Sequence, residues 1–112
     1  MEMRIETINS NVTKIILKGR LDVLCAQQIE PHFSAVVESQ RKIILGLQGV
    51  PFLASMGIRA LIIGTKTVKS KGGRMALLNP TPDVEKVLTA SGTDTVVPIV
   101  HDLASAIAAV SA

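Results

Sequence analysis

Ser55 is the residue whose type and position could best support chemistry. It lies in the segment 50–61 (VPFLASMGIRAL), where a buried-strand pattern passes into a helix pattern with almost no connector. A hydroxyl at the start of a helix is close to unpaired backbone N–H groups and to the positive end of the helix dipole. That position favours a phosphate group or a switchable contact, and serine is also a common helix cap. Both interpretations of Ser55 are open at this point.

A serine hydrolase is the catalytic alternative. Residues 55–57 (Ser-Met-Gly) partly resemble the nucleophile elbow Gly-x-Ser-x-Gly, and Asp83 or Asp94, then His101, complete the order Ser…Asp…His. Leu53 stands where the elbow has its first glycine, and no glycine-rich oxyanion loop precedes it. A chain of 112 residues also leaves little material for a substrate pocket. We therefore predict a protein that is not an enzyme, with a Ser55 nucleophile as a remote alternative.

Composition argues against several other functions. Hydrophobic residues make up 47% of the chain, which is enough for the core of one domain, expected to span residues 1–112. Only Phe33 and Phe52 are aromatic, so direct nucleic-acid binding through base stacking is not expected. Cys25 is the only cysteine, and the two histidines lack the spacing of metal ligands. We expect neither a metal nor a cofactor.

The first residues and the hydropathy of the chain predict its cellular compartment. The chain begins with charged residues where a signal peptide needs an apolar core. No uncharged apolar run approaches the roughly 20 residues that span a bilayer. We expect a cytoplasmic protein that does not insert into membranes.

Hydrophobic periodicity divides the chain into strands and helices without long linkers. Apolar and β-branched runs predict strands at residues 3–8, 12–18, 42–47, 74–78 and 95–100. Helical spacing predicts helices that end near residues 39, 70, 92 and 110. The order β-β-α-β-α-β-α-β-α predicts an α/β fold: a mixed, mostly parallel sheet of about five strands with about four helices packed on it.

Individual residues mark some helix boundaries. Thr81 is predicted as an N-cap with Pro82 at the first helical position, and Asp102 is predicted to cap the last helix. Pro31 falls inside the first helical pattern, so that helix should either kink there or become regular only near Glu30.

Two motifs resemble those of the STAS domain family, which takes its name from sulfate transporters and anti-sigma-factor antagonists. The family's Gly-x-Leu-Asp loop is matched in full by Gly19, Leu21 and Asp22. Its other motif is a strand, then Asp-Ser-Ser/Thr/Ala-Gly-Leu, then a helix, and residues 54–58 (Ala-Ser-Met-Gly-Ile) correspond to it. The resemblance runs over residues 3–110 and implies a STAS-like fold.

The resemblance also implies a function. Free-standing bacterial members of the family are anti-sigma-factor antagonists. They bind an anti-sigma factor that is also a serine kinase, and phosphorylation of the motif serine separates the pair until a phosphatase reverses it. Carried onto this sequence, the phosphoacceptor is Ser55. The implied partner-binding residues are Gly19, Arg20, Leu21, Asp22, Leu53, Ala54, Ser55, Met56, Gly57 and Arg59.

This sequence departs from the family pattern at two positions. Ala54 replaces the acid before the serine, and Gly46 replaces a second acid that is common in the preceding strand. We expect these two departures to affect recognition by a kinase more than they affect the fold or the docking of a partner. An alternative is therefore an unphosphorylated STAS subunit that docks on a lipid-transport ABC ATPase or on a signalling scaffold.

Overall fold

A five-stranded mixed sheet forms the centre of the computed structural model, which describes residues 2–111. The strands lie in the order β1-β2-β3-β4-β5, with β1 antiparallel to β2 and all other neighbours parallel. The strands are β1 (Glu2–Thr7), β2 (Thr13–Lys18), β3 (Lys42–Gly49), β4 (Arg74–Leu78) and β5 (Ile99–Val100). The helices are α1 (Val23–Ser39), α2 (Ser55–Ser70), α3 (Pro82–Ala90) and α4 (Leu103–Ser111), with a 3₁₀ turn at Thr93–Thr95. The predicted fold class and element order are confirmed.

The side chains of the central strands alternate between two cores, as the two-residue period of a strand requires. Ile43, Leu45 and Leu47 of β3 belong to the larger core, which also holds buried side chains of α1, α2 and α3. Ile44 belongs to a smaller core on the other face, formed with Ala106 and other residues of α4. Helix α4 packs against β3, β4 and β5, so the β1–β2 half of that face remains open.

The strand predicted at residues 95–100 is largely wrong. Its first residue, Thr95, ends the 3₁₀ turn Thr93–Thr95, residues 96–98 are irregular, and of these six residues only Ile99–Val100 form a strand. Gly92 adopts the left-handed conformation (φ 77°) and directs the chain into this turn. Pro98 lacks a backbone N–H, which shortens the pairing of this edge strand further.

Helix α1 is already regular well before Glu30, which was one of the two alternatives that Pro31 left open. It is helical from Val23 to Ser39 with Pro31 inside it, so a regular start near Glu30 is wrong. Pro31 is exposed, and the missing N–H removes one helical hydrogen bond on the solvent side. The N-cap at Asp22 therefore determines where α1 begins.

The predicted caps of the last two helices are confirmed. The Thr81 hydroxyl accepts from the N–H of Val84 (3.3 Å), with Pro82 as the first residue of α3. The Asp102 carboxylate accepts from the N–H of Ser105 (2.7 Å) at the start of α4. This backbone hydrogen bond lowers the pKa of Asp102.

Candidate functional site

The two motifs found in the sequence lie side by side at the carboxyl ends of β2 and β3. Leu21 and Leu53 form a parallel β-bridge. The N–H of Leu21 donates to the carbonyl of Phe52 (2.9 Å), and the N–H of Ala54 donates to the carbonyl of Leu21 (3.0 Å). The loop at residues 19–22 and the chain before α2 therefore form one rigid unit that fixes where both helices start.

Gly57 allows α2 to pack closely on this unit. It is buried, and a Cβ placed there would lie 2.8 Å from Leu53 Cδ1 and 2.9 Å from Leu21 Cγ. Contacts that short do not occur between relaxed carbon atoms, so a side chain at position 57 would push α2 away from the bridge. Gly57 thus sets the position of Ser55 relative to the Leu21–Leu53 bridge.

Asp22 caps helix α1. Its carboxylate accepts from the backbone N–H of Cys25 (2.9 Å), which satisfies one of the free donors at the helix start. The hydrogen bond from Cys25 is the largest cause of a lowered Asp22 pKa, and the positive charge of Arg20 adds to it. Asp22 is therefore the N-cap of α1, and its carboxylate is already engaged within the chain.

Helix α2 starts differently. The N-cap position is Ala54 (φ −86°, ψ 167°), and no side chain caps the helix. Ser55 is the first helical residue and is exposed, and its hydroxyl has no hydrogen-bond partner among residues 2–111. The interpretation of Ser55 as the cap is wrong, because the backbone places it one residue too late to accept from the N–H groups of the first turn.

Several large apolar side chains around Ser55 are exposed to solvent. Val23 and Leu24 begin α1 and are 50% and 63% exposed, while Phe52 and Met56 are 39% and 36% exposed. The guanidinium of Arg20 lies over the Phe52 ring, 4.5 Å from its centroid. We call residues 20–24, 52–56 and 59 the Ser55 surface.

Part of this surface lies outside the residues that the motifs predict. Val23 and Leu24 were not among the predicted partner-binding residues, although the sequence contains a signal for them. Two large apolar residues directly follow the capping Asp22, in the first turn of a helix. Charged or small residues would be ordinary at exposed positions there, so this pair marks a place where apolar area is kept in contact with water.

A shallow cleft between α1 and α2 continues the Ser55 surface. Met56, Arg59 and Ile63 line it from α2, and Gln27 and Glu30 line it from α1. Its volume is about 270 Å³, and Ile63 is 51% exposed at its far end. The exposed apolar area is therefore continuous from the helix starts along the groove between the two helices.

The residues of the hydrolase alternative do not assemble. His101 Nε2 lies within hydrogen-bond distance (2.8 Å) of Glu85 Oε1. Within residues 2–111 no hydrogen bond links Ser55 to His101, and none links His101 to Asp83 or Asp94. A serine nucleophile needs a base within hydrogen-bond reach that is itself oriented by a third group, and this arrangement provides neither.

Two further kinds of site are absent from the described residues. No group of three or more histidine, cysteine, aspartate or glutamate side chains within 2–111 is placed to hold a metal ion. None of the helices in that range is both long enough and apolar enough to cross a bilayer.

Two helix starts held together at the carboxyl ends of parallel strands define a small α/β domain with exposed apolar side chains at one corner. The chain belongs to the STAS domain family, because the model of that family matches residues 3–106. The predicted family is therefore confirmed.

Similar proteins agree with this assignment. The chain is 31% identical over 94 residues to an anti-sigma F factor antagonist of Lysinibacillus sphaericus. The aligned residues make up 82% of this chain and 80% of that protein. Its fold is similar to a solved anti-sigma-factor antagonist (STAS) domain protein from Planctomyces limnophilus, with 28% identity, a TM-score of 0.82 and coverage of 96% and 95%. It is also similar to the Bacillus cell fate determinant SpoIIAA in its phosphorylated form, with 24% identity, a TM-score of 0.71 and coverage of 93% and 96%.

Proposed function

We propose that this protein is an anti-sigma-factor antagonist, and not an enzyme, that binds its anti-sigma factor through the Ser55 surface. The relative from Lysinibacillus sphaericus carries the name of such an antagonist and matches most of the chain. The observation that carries the proposal is the free, exposed hydroxyl of Ser55 at an uncapped helix start, surrounded by exposed apolar side chains. Apolar area of this kind is typical of a surface that another protein covers.

We further propose that phosphorylation of Ser55 releases the partner. A phosphoserine adds about −1.5 to −2 charges at neutral pH. At the first turn of a helix an anion is favourable by about 0.3–1 kcal/mol, so the phosphate leaves the fold intact. It instead places bulk and charge in the middle of the apolar area that docks, which opposes binding.

The charges around Ser55 are compatible with a phosphate. Arg20 and Arg59 are the cations of the Ser55 surface, and Asp22 is its acid. The Asp22 carboxylate is occupied by the α1 cap, and Ala54 contributes no charge. The Ser55 surface therefore carries two cations against one engaged carboxylate, which favours an added phosphate.

The proposed partners are a serine kinase that is itself the anti-sigma factor, and a phosphatase that reverses the modification. SpoIIAA, whose fold this chain shares, has been solved in a phosphorylated form. Because Ala54 and Gly46 are uncharged, the kinase proposed here recognises the Ser55 surface without acids at those positions.

Binding of the Ser55→Asp and Ser55→Ala variants to the candidate anti-sigma factor of the same genome tests the proposal. We expect Ser55→Ala to bind like the wild type and Ser55→Asp to melt like the wild type but lose the partner. Ser10→Asp is the matched control, because Ser10 is exposed in the β1–β2 turn at the other end of the sheet. Binding by Ser55→Asp at wild-type strength would overturn the switch.

Intact-mass analysis of the protein from its own host separates the switch from the unphosphorylated alternative. One phosphate, mapped to Ser55 and removed by a serine phosphatase, is the expected result. The second candidate function, docking on a transport ATPase or a scaffold without modification, is favoured by the uncharged Ala54. It predicts an unmodified mass under all growth conditions.

A further inference from the structure

A second cleft lies away from the Ser55 surface, on the face of the sheet that carries α4. It sits where the carboxyl ends of β2, β3 and β4 meet the start of α4, and its volume is about 280 Å³. Helix α4 covers β3 and β4 but leaves β2 open, so the cleft is bounded by strand residues on one side and by Leu103 on the other. The carboxyl edge of parallel strands is a common position for ligand sites in α/β folds.

Gly46 lines this cleft next to a register shift between β2 and β3, and the space around it does not require a glycine. Its backbone is not in the left-handed region, unlike that of Gly19, Gly72 and Gly92. A Cβ added at position 46 would meet nothing closer than Lys14 Cε at 3.5 Å, whereas one at Gly57 would lie 2.8 Å from its neighbour. A glycine weakens the interior of a strand and marks a bulge or the close approach of a ligand or another backbone. The register shift after Gly46 accounts for a local bend, and the open space beside the glycine leaves room for a ligand.

Three polar side chains line the cleft without partners of their own. The side chains of Lys14, Gln48 and Asn79 make no hydrogen bond or ion pair within residues 2–111, although Glu6 lies opposite Lys14 in the β1–β2 register. Asn79 is the only non-glycine residue of that range with a positive φ (52°). Its N–H donates to the carbonyl of Val100 (2.9 Å), which holds this unusual conformation at the cleft edge.

The remaining lining is apolar. Ile16, Leu78 and Leu103 face the polar group across the cleft. One ammonium group and two amides suit a single carboxylate, since an amide N–H and an ammonium both donate to its oxygens. The apolar wall suits a short hydrocarbon or ring attached to that carboxylate, and the volume lies just below the range typical of small-molecule pockets.

We propose that this cleft binds a small organic carboxylate with an apolar body. The carboxylate contacts Lys14, Gln48 and Asn79, and the apolar body lies over Gly46 against Ile16. A phosphate is a poorer fit because Lys14 is the only cation in the lining, so a doubly charged group would be left half-neutralised. The inference stands independently of the proposed function, because it uses no residue of the Ser55 surface.

Titration of the ¹⁵N-labelled protein with benzoate and hexanoate, followed by NMR, tests this proposal. We expect saturable shifts in the millimolar range that are confined to the amides of residues 46–49 and 79. Methyl benzoate, which has the same ring without the charge, should bind at least tenfold more weakly. Lys14→Met should weaken benzoate binding by a similar factor.

A matched set of variants separates binding in the cleft from general attraction to a basic protein. Gly46→Val fills this part of the cleft with a side chain that the structure accommodates, so it should fold and lose both ligands. Lys18→Met removes a charge four residues beyond Lys14 on the same strand, outside the lining of this cleft, and should bind benzoate like the wild type. Gly46→Ala is the milder variant if Gly46→Val does not fold.

Three results would overturn the proposal. The first is the absence of saturable shifts with either carboxylate. The second is equal binding of benzoate and methyl benzoate, which would remove the role of Lys14. The third is unchanged binding by a folded Gly46 variant, which would place the ligand elsewhere.

Discussion

The starts of α1 and α2 are neighbours built in two different ways. Both follow the carboxyl end of a parallel strand, and the Leu21–Leu53 bridge holds them side by side. Helix α1 is capped by the Asp22 carboxylate, while α2 begins after Ala54 with no side-chain cap. The free donors at the start of α2 therefore remain available to a group that is not part of the unmodified chain. The difference shows how one corner of a fold can combine a stabilised anchor with an open position for regulation.

The largest expected effect comes from separating the two helix starts. Gly57→Val places atoms within 3 Å of the Leu21 and Leu53 side chains, so either these buried side chains or α2 must shift. We expect the free energy of unfolding to fall by about 1–3 kcal/mol, as for other overpacked sites. Urea denaturation measures this change, and partner binding should weaken with it because the Ser55 surface loses its geometry.

Gly46→Val is the matched control for that experiment. The substitution is the same, but the added Cβ has no neighbour closer than 3.5 Å. We expect it to be no less stable than the wild type. Equal stability of the two variants would show that close packing at Gly57 does not hold the helix starts together.

A substitution at Ala54 can make the two helix starts alike. Ala54→Asp supplies α2 with the kind of cap that Asp22 gives α1, and Ala54 already has the extended backbone that an N-cap needs. We expect a gain of about 0.5–2 kcal/mol in the free energy of unfolding, measured by thermal or urea denaturation. Ala54→Asn separates the hydrogen bond of the cap from its charge. No gain in either variant would mean that the donors of α2 are already satisfied.

Asp22→Ala makes the opposite change, because it removes the cap of α1. Because the pKa of Asp22 is lowered in the folded protein, its carboxylate stabilises the fold above the unfolded value of about 3.8. That contribution is lost as the pH falls through the folded pKa. Asp22→Ala should therefore melt below the wild type near neutral pH, and the gap should close in acid.

Asp94→Ala is the control for the pH dependence. Asp94 is an exposed carboxylate, and its side chain makes no hydrogen bond within residues 2–111. Its removal should leave the melting temperature nearly unchanged across the same pH range. A gap for Asp22→Ala that persists undiminished in acid would contradict the role of the ionised carboxylate.

The sequence was sufficient for the fold because burial imposes periodicity on it. The apolar run of β3 and the helical spacing of α2 follow directly from two-sided and one-sided burial. Residues 95–98 misled the prediction, because a β-branched run reads as a strand even where the left-handed Gly92 leads into a turn. The sequence signals the end of a helix at Gly92, but local composition does not show that the chain continues into a 3₁₀ turn before the strand.

The candidate site was predictable only in part. The motifs located Ser55 and its neighbours, but whether position 54 or 55 is the cap depends on the backbone angles at one residue. The spacing of residues cannot supply that angle, because serine is acceptable at both positions. The exposure of Val23 and Leu24 depends on what packs against the first turn of α1, which is a property of the assembled fold.

The smallest expected effect belongs to Ser55→Ala. The Ser55 hydroxyl is exposed and has no partner among residues 2–111, so its loss should change the free energy of unfolding by no more than about 0.5 kcal/mol. Urea denaturation of Ser55→Ala beside Asp22→Ala compares a free side chain with a capping one under the same conditions. A loss above about 1 kcal/mol for Ser55→Ala is what removal of an N-cap produces. That result would make Ser55 a structural cap after all, and the two helix starts would no longer differ in the way that leaves α2 open to a phosphate.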